Sequence, residues 1–355
     1  MANSTASRWS SPGWRWLAVI AILAAISTAL VALPDRNGKP LQRVKTWTYQ
    51  LQGFDGGGLA RLAEAAGDML VVDYARAAGS GMAPLTRDEV AQLKKRPDGS
   101  RRLVIAYFSV GEAEEYRPYW LADWRANPPG WLLSENCRWP KNHLVRFWDE
   151  GWRRIIFDSP QSYLAGIQQA GFDGVYLDRV DVYGDLAPRF PEARARMLSF
   201  VGDLARAARD KIPRFLVIVQ NAEELLDDAS YRRAIDAVAK EDLLYGVEGT
   251  GKRNPDAMIA GSIEMLEKLR TDGKPVFAVE YLKRAKDVAS AKVELEKLGI
   301  VPVFPSRALD GSDPLAPETS QDQSAERENA SPSETGTPEY AATNCNGVWP
   351  RTAGP

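Results

Sequence analysis

The chain has 355 residues, of which 45% are hydrophobic, and a formal net charge of −2. This length is enough for one barrel-sized domain or two smaller ones, and the near-neutral charge gives no indication of nucleic acid as a partner. A single histidine, His143, disfavours a Ser-His-Asp hydrolase, a multi-histidine metal site and a metal-dependent deacetylase. We therefore predict no metal and no cofactor, and carboxylates become the main candidates for proton transfer.

The first 33 residues predict a signal peptide or an uncleaved membrane anchor. Arg8 and Arg15 precede an uncharged apolar run at 17–33, which is just long enough to span a bilayer. The basic flank and the terminal position favour this interpretation over a buried core helix. Because positive charge stays on the cytoplasmic side, we expect the remaining chain to be extracellular, periplasmic or in the cell envelope. Residues 34–43 predict a linker.

Strand-like and helix-like segments alternate between residues 44 and 306, which we take as one domain. The predicted strands lie at 45–51, 69–73, 103–109, 174–178, 215–220, 235–241, 275–280 and 300–304. Helical patterns fill the intervals, among them one capped by Thr86 and others at 192–211, 255–270 and 286–298. Eight strands with helical returns predict a (β/α)8 TIM barrel. An open doubly wound sheet is the alternative, but Gly56-Gly57-Gly58 lacks the spacing of its phosphate-binding turn.

Two further regions depart from this alternation. Residues 110–160 predict an elaborated loop after the third strand, rich in tryptophan: Trp120, Trp124, Trp131, Trp139, Trp148 and Trp152. Residues 307–355 are rich in Ser, Glu, Pro, Thr and Gln, and predict a disordered tail. Cys137 and Cys345 could pair in an oxidising compartment, but two cysteines do not define a disulfide framework.

Carboxylates close four of the predicted strands. These are Asp73, Asp178, Glu241 and Glu280, and Asp181 follows three residues after Asp178. In a parallel barrel the carboxyl ends of the strands form the rim that carries the functional site. The alternative for each single acid is a helix cap or an exposed turn residue.

Alternation of side chains along a strand predicts which of these acids face the barrel interior. Asp178 shares its face with Tyr176, and Glu241 shares its face with Ala239 and Ala237. The same rule, applied with Ala278 inside and with Phe277 and Val279 outside, turns Glu280 inward. Small inward residues beneath a carboxylate would leave room for a ligand.

Two carboxylates facing a cleft, without imidazole, are what glycosidic bond cleavage requires. Their separation decides between retention and inversion, and the sequence does not give that distance. Aromatic residues that could stack on sugar rings are Tyr49, Tyr107, Trp148, Tyr183 and Tyr245, although packing in the core or rim is the more common role of a single aromatic. A rim with Asp73, Glu112, Asp178, Asp181, Glu241 and Glu280 would be negative and would favour a cationic amino sugar.

Six stretches of the chain together resemble glycoside hydrolase family 114, the endo-α-1,4-polygalactosaminidase-like barrels. They are residues 47–54, 70–74, 106–117, 171–178, 220–221 and 241–245, within about 44–305. The resemblance implies secreted hydrolysis of α-1,4-linked galactosamine polymers by a (β/α)8 barrel. It also implies a catalytic pair at Asp178, as nucleophile or base, and Glu241, as general acid, with the roles open to exchange. Tyr176 and Asn221 join the residues above as candidates for substrate binding.

One departure and two other functions stay open. Lys240 interrupts the apolar run before Glu241 and should face outward. Because of this departure, Glu248 is a reserve candidate for the second acid. A non-catalytic carbohydrate-binding barrel would keep the aromatic rim and tolerate loss of one acid. A hydrolase of a neutral or N-acetylated glycan is the other alternative, because rim acids also cap helices or bind arginines such as Arg117 and Arg179. We expect a monomer with a polysaccharide as its partner.

Overall fold

The computed structural model describes residues 39–78 and 81–315, together with Met1. Apart from Met1, the predicted signal or anchor at 1–33 lies outside the described residues, as do linker residues 34–38 and Cys345. Within the described part of the chain, no helix combines the length and the apolar character needed to cross a membrane.

Eight parallel strands form one sheet in chain order, which confirms the predicted barrel. We number them β1 to β8: Trp47–Gln50, Met69–Asp73, Leu103–Ser109, Gly174–Asp178, Leu216–Gln220, Ala237–Glu241, Val276–Val279 and Val301–Val303. Every predicted strand agrees with these bounds to within two residues at each end. At the seam between the last strand and the first, the Trp47 indole N–H donates to the Val301 carbonyl oxygen at 3.1 Å.

Helices return the chain from the carboxyl end of each strand to the start of the next. Within the described residues the α-helices are α1 to α9: Gly58–Ala63, Arg87–Leu93, Glu150–Ile156, Tyr163–Ala170, Tyr183–Leu186, Ala193–Lys211, Ala229–Ala234, Asp256–Thr271 and Ala285–Lys297. The predicted cap is present on α2, where Thr86 and Glu89 form a reciprocal capping box. These helices shield the outer face of the sheet from water.

Strand alternation separates the core into two layers. One cluster fills the barrel interior with Trp47, Tyr49, Met69, Val71, Ile105, Tyr107, Tyr176, Leu216, Ile218, Ala237, Ala239, Phe277, Val279 and Tyr281. The other packs the outward side chains, such as Val175, Leu177 and Val238, against the helices. The predicted orientations of β4 and β6 are therefore confirmed, and Asp178 and Glu241 fall on the inner face.

The predicted orientation of β7 is wrong. Phe277 and Val279 lie in the interior cluster, whereas Ala278 packs outward. The inward side chains of β6 are two alanines, Ala237 and Ala239, so larger side chains from β7 are needed to fill the barrel interior. The Phe277 ring packs edge-on against Trp47, with ring centroids 5.5 Å apart. As a consequence Glu280 leaves the inner face and Tyr281 takes its place at the rim.

The tryptophan-rich insertion, residues 110–160, is an ordered subdomain after β3. It contains a three-stranded antiparallel sheet of Glu112–Glu114, Asn142–Val145 and Leu132–Glu135. Edge-to-face ring contacts run from Trp120 to Trp124 and on to Trp131, with centroids 5.2 and 5.0 Å apart. Trp139 is exposed. Two further antiparallel hairpins, Ala75–Ala78 with Gly81–Pro84 and Tyr245–Gly246 with Gly249–Arg253, extend from the loops after β2 and β6.

The predicted start of the disordered tail at 307 is too early. Residues 304–312, which we call the C-terminal strap, contact the rim after β8. The Leu309 carbonyl oxygen accepts hydrogen bonds from the backbone N–H groups of Leu51 and Gln52 at 2.7 and 2.9 Å. The strap therefore covers the seam between β8 and β1, and residues beyond 315 lie outside the described part of the chain.

Lys240 faces outward from β6, as the sequence predicts. Its ammonium lies 3.0 Å from Glu223 Oε1, and the Ser262 hydroxyl of α8 donates to the same oxygen at 2.7 Å. The lysine charge is thus balanced behind the barrel wall.

The corrected orientation of β7 can be tested by exchanging volumes across the interior. Ala239 and Phe277 are register partners on adjacent strands. We expect Phe277→Ala to lower the free energy of unfolding by about 3–5 kcal/mol, because it leaves a cavity. Adding Ala239→Phe should restore part of that loss in denaturant unfolding, since both positions share one interior. A double variant less stable than Phe277→Ala alone would show that the two side chains occupy different layers.

Candidate active site

Three adjacent strands present polar side chains at the inner rim: Asp178 on β4, Gln220 on β5 and Glu241 on β6. A non-glycine residue in the left-handed region follows each of them, Arg179 at φ 58°, Asn221 at φ 54° and Asp242 at φ 51°. Such conformations cost on the order of 1–3 kcal/mol each and cluster at functional sites. In each case the left-handed residue turns the backbone away from the barrel directly after the side chain on the inner face.

Glu241 is held by neutral donors from both neighbouring strands. Its Oε1 accepts from the Tyr281 hydroxyl at 2.5 Å and its Oε2 from Gln220 Nε2 at 2.8 Å. The Gln220 carbonyl oxygen in turn accepts from the Tyr49 hydroxyl at 3.1 Å. Burial raises the pKa of the Glu241 carboxyl, and the negative charge of Asp242 raises it further. Glu241 thus keeps its proton to a higher pH than an exposed glutamate.

Asp178 is held in a similar way. Its Oδ1 accepts from the Arg179 backbone N–H at 2.7 Å, and its Oδ2 accepts from the Tyr107 hydroxyl at 2.6 Å. Burial raises the pKa of Asp178 to about 7, the Tyr107 hydrogen bond opposes this, and the charges of Asp181 and Glu241 add to it. Burial therefore raises the pKa of both rim carboxyls above that of an exposed acid.

Tyrosine rings form the floor between the two carboxyls. Tyr176 lies 5.3 Å from Tyr49 and 6.3 Å from Tyr107, measured between ring centroids. Its hydroxyl is buried and makes no hydrogen bond among the described residues. Burial, then the charges of Glu241 and Asp178, raise the Tyr176 pKa, so the hydroxyl stays a neutral donor. The Ser109 hydroxyl, in register with Asp178, is likewise buried without a described partner. An unsatisfied hydroxyl in such a place suits a ligand or a water molecule.

A family model for glycoside-hydrolase family GH114 matches residues 27–321 of the chain. An uncharacterised protein of Deinococcus radiodurans is 33% identical over 278 residues, which cover 78% of this chain and 85% of that protein. An uncharacterised protein of Methanocaldococcus jannaschii is 36% identical over 244 residues, 66% of each chain. The chain belongs to glycoside-hydrolase family GH114. It is a glycoside hydrolase.

A solved structure supports the fold of this GH114 hydrolase. The glycoside hydrolase domain of PelA from Pseudomonas aeruginosa superposes with a TM-score of 0.57 at 21% identity, covering 75% of this chain and 96% of that one. A variant of the same domain gives a TM-score of 0.58 at 22% identity. At this identity the likeness concerns the fold, and the site residues rest on the geometry of this chain.

Two of the predicted binding acids attach the tryptophan-rich insertion to the GH114 barrel. Asp73 is buried, with its Oδ1 2.6 Å from Arg117 Nη1 of the insertion. Glu112 is also buried, and its Oε1 lies 2.8 Å from Arg179 Nε. A side chain at Gly111 would place its Cβ 2.2 Å from the Arg179 carbonyl oxygen, so the backbones meet directly. Their carboxylates are occupied by arginines, which corrects the prediction that both are open to a ligand.

Glu280 is the third acid that the structure moves away from the cleft. It is fully buried, and its oxygens accept from the backbone N–H groups of Leu244 and Tyr245 at 2.7 and 3.2 Å. Burial raises its pKa to about 8. Glu280 therefore stabilises the loop after β6 through these hydrogen bonds and does not face the cleft.

The remaining candidates lie on the loops after β3 to β6. Asp181 is 3.3 Å from Arg179 Nη1, and the Tyr183 hydroxyl donates to Glu224 Oε2 at 3.3 Å. Asn221 accepts the Glu241 backbone N–H at 2.9 Å, so it positions that strand end. Two aromatics are half-buried against other side chains: Tyr245 lies beside Arg253, and Trp148 packs on Phe147 and Phe190.

Sequence reasoning missed four side chains around Glu241: Gln220, Asp242, Tyr281 and Arg307. Gln220 and Tyr281 could have been found, because alternation from Ile218 and from Phe277 places both on the inner face. No feature of the sequence indicates Arg307 as a site residue, because it follows the last strand in a stretch of turn-forming residues. Within the described residues, no group of three or more His, Cys, Asp or Glu is arranged to hold a metal ion.

The raised pKa of Asp178 predicts how stability changes with pH. The folded state holds a proton between pH about 4 and about 7 that the unfolded chain releases, so this group's contribution is full below pH 4 and lost as pH rises to 7. We expect Asp178→Asn to remove that part of the slope in unfolding measurements from pH 4 to 8. Asp256→Asn, at a side chain 96% exposed, is the control. An unchanged slope in Asp178→Asn would mean that Asp178 titrates normally.

Proposed function

We propose that this glycoside hydrolase cleaves internal bonds of an α-1,4-linked galactosamine-type polysaccharide, with Asp178 and Glu241 as the catalytic pair. The observation that carries the proposal is the pair itself. Both carboxyls lie on the inner rim, both accept a tyrosine hydroxyl, and burial raises the pKa of each. Such a pair can supply a proton to a leaving group and a carboxylate to the opposite side of the sugar.

In this proposal the protonated Glu241 gives its proton to the glycosidic oxygen. Asp178, ionised and held by the Arg179 N–H and the Tyr107 hydroxyl, either attacks the anomeric carbon or takes a proton from an attacking water. Carboxyls about 5–5.5 Å apart favour the first route with retention, and about 6.5–9.5 Å the second with inversion. The anomer formed first, observed by NMR, distinguishes these routes.

The charge around the pair supports a substrate that carries free ammonium groups. Asp181 places a negative charge near Asp178, and Asp242 places one near Glu241. Arg179 pairs with Asp181 and Arg307 pairs with Asp242, whereas Asp178 and Glu241 have no ion-pair partner among the described residues. A deacetylated polymer would complete the balance.

The catalytic pair can be tested with the full chain on partially deacetylated α-1,4-galactosamine polymer and on its fully N-acetylated form. We expect Asp178→Asn and Glu241→Gln each to lower oligosaccharide release at least about 100-fold, because proton transfer contributes that much or more. Glu248→Gln is the matched control, since Glu248 is an exposed acid in the hairpin turn just after β6.

The outcomes separate the alternatives. Full turnover in Glu241→Gln with loss in Glu248→Gln would transfer the acid role to Glu248. Polymer binding without release by the parent would favour a carbohydrate-binding barrel. Faster release from the acetylated polymer would overturn the cationic substrate. A mixture of oligosaccharide lengths from the start of the reaction, rather than single sugars, is expected for internal cleavage.

We also propose that the chain is exported through residues 1–33, either cleaved or anchored by 17–33. The support is the basic start followed by the apolar run. We expect the native protein in the medium, periplasm or envelope fraction, and N-terminal sequencing of that material decides between cleavage and anchoring. Recovery in the cytosolic fraction with an intact N-terminus would contradict the proposal.

A further inference from the structure

Arg307 is the cation of the C-terminal strap, and it contacts two residues that adjoin Glu241, namely Tyr281 and Asp242. The strap is fixed on the other side of the seam by the Leu51 and Gln52 hydrogen bonds to Leu309, and Leu309 itself is in the left-handed region at φ 52°. These contacts bring Arg307 from beyond β8 to the loop after β6. Its side chain is 42% exposed, so water has partial access to the guanidinium.

Arg307 contacts the residue that donates a hydrogen bond to Glu241, Tyr281, and the residue that follows Glu241 in the chain, Asp242. Its guanidinium carbon lies 4.1 Å from the centroid of the Tyr281 ring, and its Nη2 lies 3.3 Å from each carboxylate oxygen of Asp242. Tyr281 is the residue whose hydroxyl donates to Glu241, and Asp242 follows Glu241 in the chain. A cation over a phenol ring draws electron density from it and makes its hydroxyl a better donor. The same cation balances the negative charge nearest to Glu241.

Charged and titratable groups face Glu241 from every element around it. β4 contributes Tyr176 and Asp178, the segment after β7 contributes Tyr281, and the strap contributes Arg307; Gln220 of β5 is neutral. On its own strand Asp242 is the nearest charge, and Lys240 points to the outer side, where it pairs with Glu223. Arg307 is thus the cation that the described structure places on the cleft side of Glu241, opposite in effect to Asp242.

We propose that Arg307 is a positioning residue whose charge, held between Tyr281 and Asp242, sets how readily Glu241 gives up its proton. For the role of Glu241 as the general acid, this inference rests on the proposed function. Burial and Asp242 raise the pKa of Glu241, while the Tyr281 hydrogen bond and then the Arg307 charge lower it. The strap therefore tunes the acid without contacting the scissile bond.

The first test is the pH dependence of kcat/KM on the deacetylated polymer with the full chain. A general acid works only while protonated, so the rate falls above its pKa. In Arg307→Gln, Asp242 is no longer balanced, and we expect the high-pH limb to move to higher pH. In Asp242→Asn the limb should move to lower pH, and asparagine suits the left-handed backbone at that position. Arg307→Lys keeps the charge and should return the limb towards the parent's.

Arg253 provides a matched control. Its side chain is 41% exposed, it lies 5.7 Å from the Tyr245 ring centroid, and it pairs with Glu294 at 2.8 Å. This repeats the surroundings of Arg307 at a place where neither partner contacts Glu241. Arg253→Gln should leave the limb where it is. A limb that moves equally in both arginine variants would overturn the proposal, because the effect would then be one of net charge.

The second test observes the carboxyl itself and needs no activity. Glutamate labelled with 13C at the side-chain carboxyl, assigned by Glu241→Gln, reports the titration of Glu241 in parent and variants. We expect its midpoint to rise in Arg307→Gln and to fall in Asp242→Asn. Unmoved midpoints, or a raised KM with an unmoved limb, would overturn the proposal and make Arg307 a structural or substrate-contacting residue. The expected midpoints in a protein that cleaves no tested polymer would support the coupling while rejecting the proposed function.

Discussion

Burial of two carboxyls at the inner rim, with no ion pair to either from the part of the chain that the structure describes, is the constraint on which the site depends. A buried carboxyl needs hydrogen-bond donors, and its charged form is disfavoured where the donors are neutral. Tyr107 and the Arg179 N–H serve Asp178, while Tyr281 and Gln220 serve Glu241. Each donor lies on, or directly after, the same strand as its carboxyl or an adjacent strand. The strand register that places the donors therefore also determines how readily each carboxyl is protonated.

The identity of the partner separates the structural acids from the proposed catalytic ones. Asp73 and Glu112 are paired with arginines, and these ion pairs join the tryptophan-rich insertion to the ends of β2 and β4. Breaking such buried pairs is costly, which suits a permanent attachment. Asp178 and Glu241 instead accept hydrogen bonds from hydroxyl and amide groups, so each carboxyl can gain or lose a proton without breaking an ion pair. An acid count along the sequence cannot make this distinction, because it depends on which side chain arrives from a distant loop.

The sequence predicted the barrel because each strand is a short apolar run between helical patterns, and it predicted β4 and β6 correctly because their branched residues all fall on one face. It failed at β7, where every residue is apolar and the choice between Phe277 and Ala278 for the interior depends on the alanines of β6. Glu280 and Tyr281 were exchanged as a result. Arg307 could not be predicted, because the hydrogen bonds of Leu309 that bring it to the rim join residues from opposite ends of the domain.

The left-handed residues after β4, β5 and β6 connect these observations. Arg179, Asn221 and Asp242 each do two things: their backbones turn the chain away from the barrel, and their polar groups contact or lie next to Asp178 or Glu241. Arg179 donates its N–H to Asp178, Asn221 accepts from the Glu241 N–H, and Asp242 places a charge beside Glu241. Asparagine and aspartate tolerate this backbone better than most residues, but arginine does not. Arg179 therefore adopts this strained backbone because it makes two contacts at once. Its backbone N–H donates to Asp178, and its side chain pairs with Glu112.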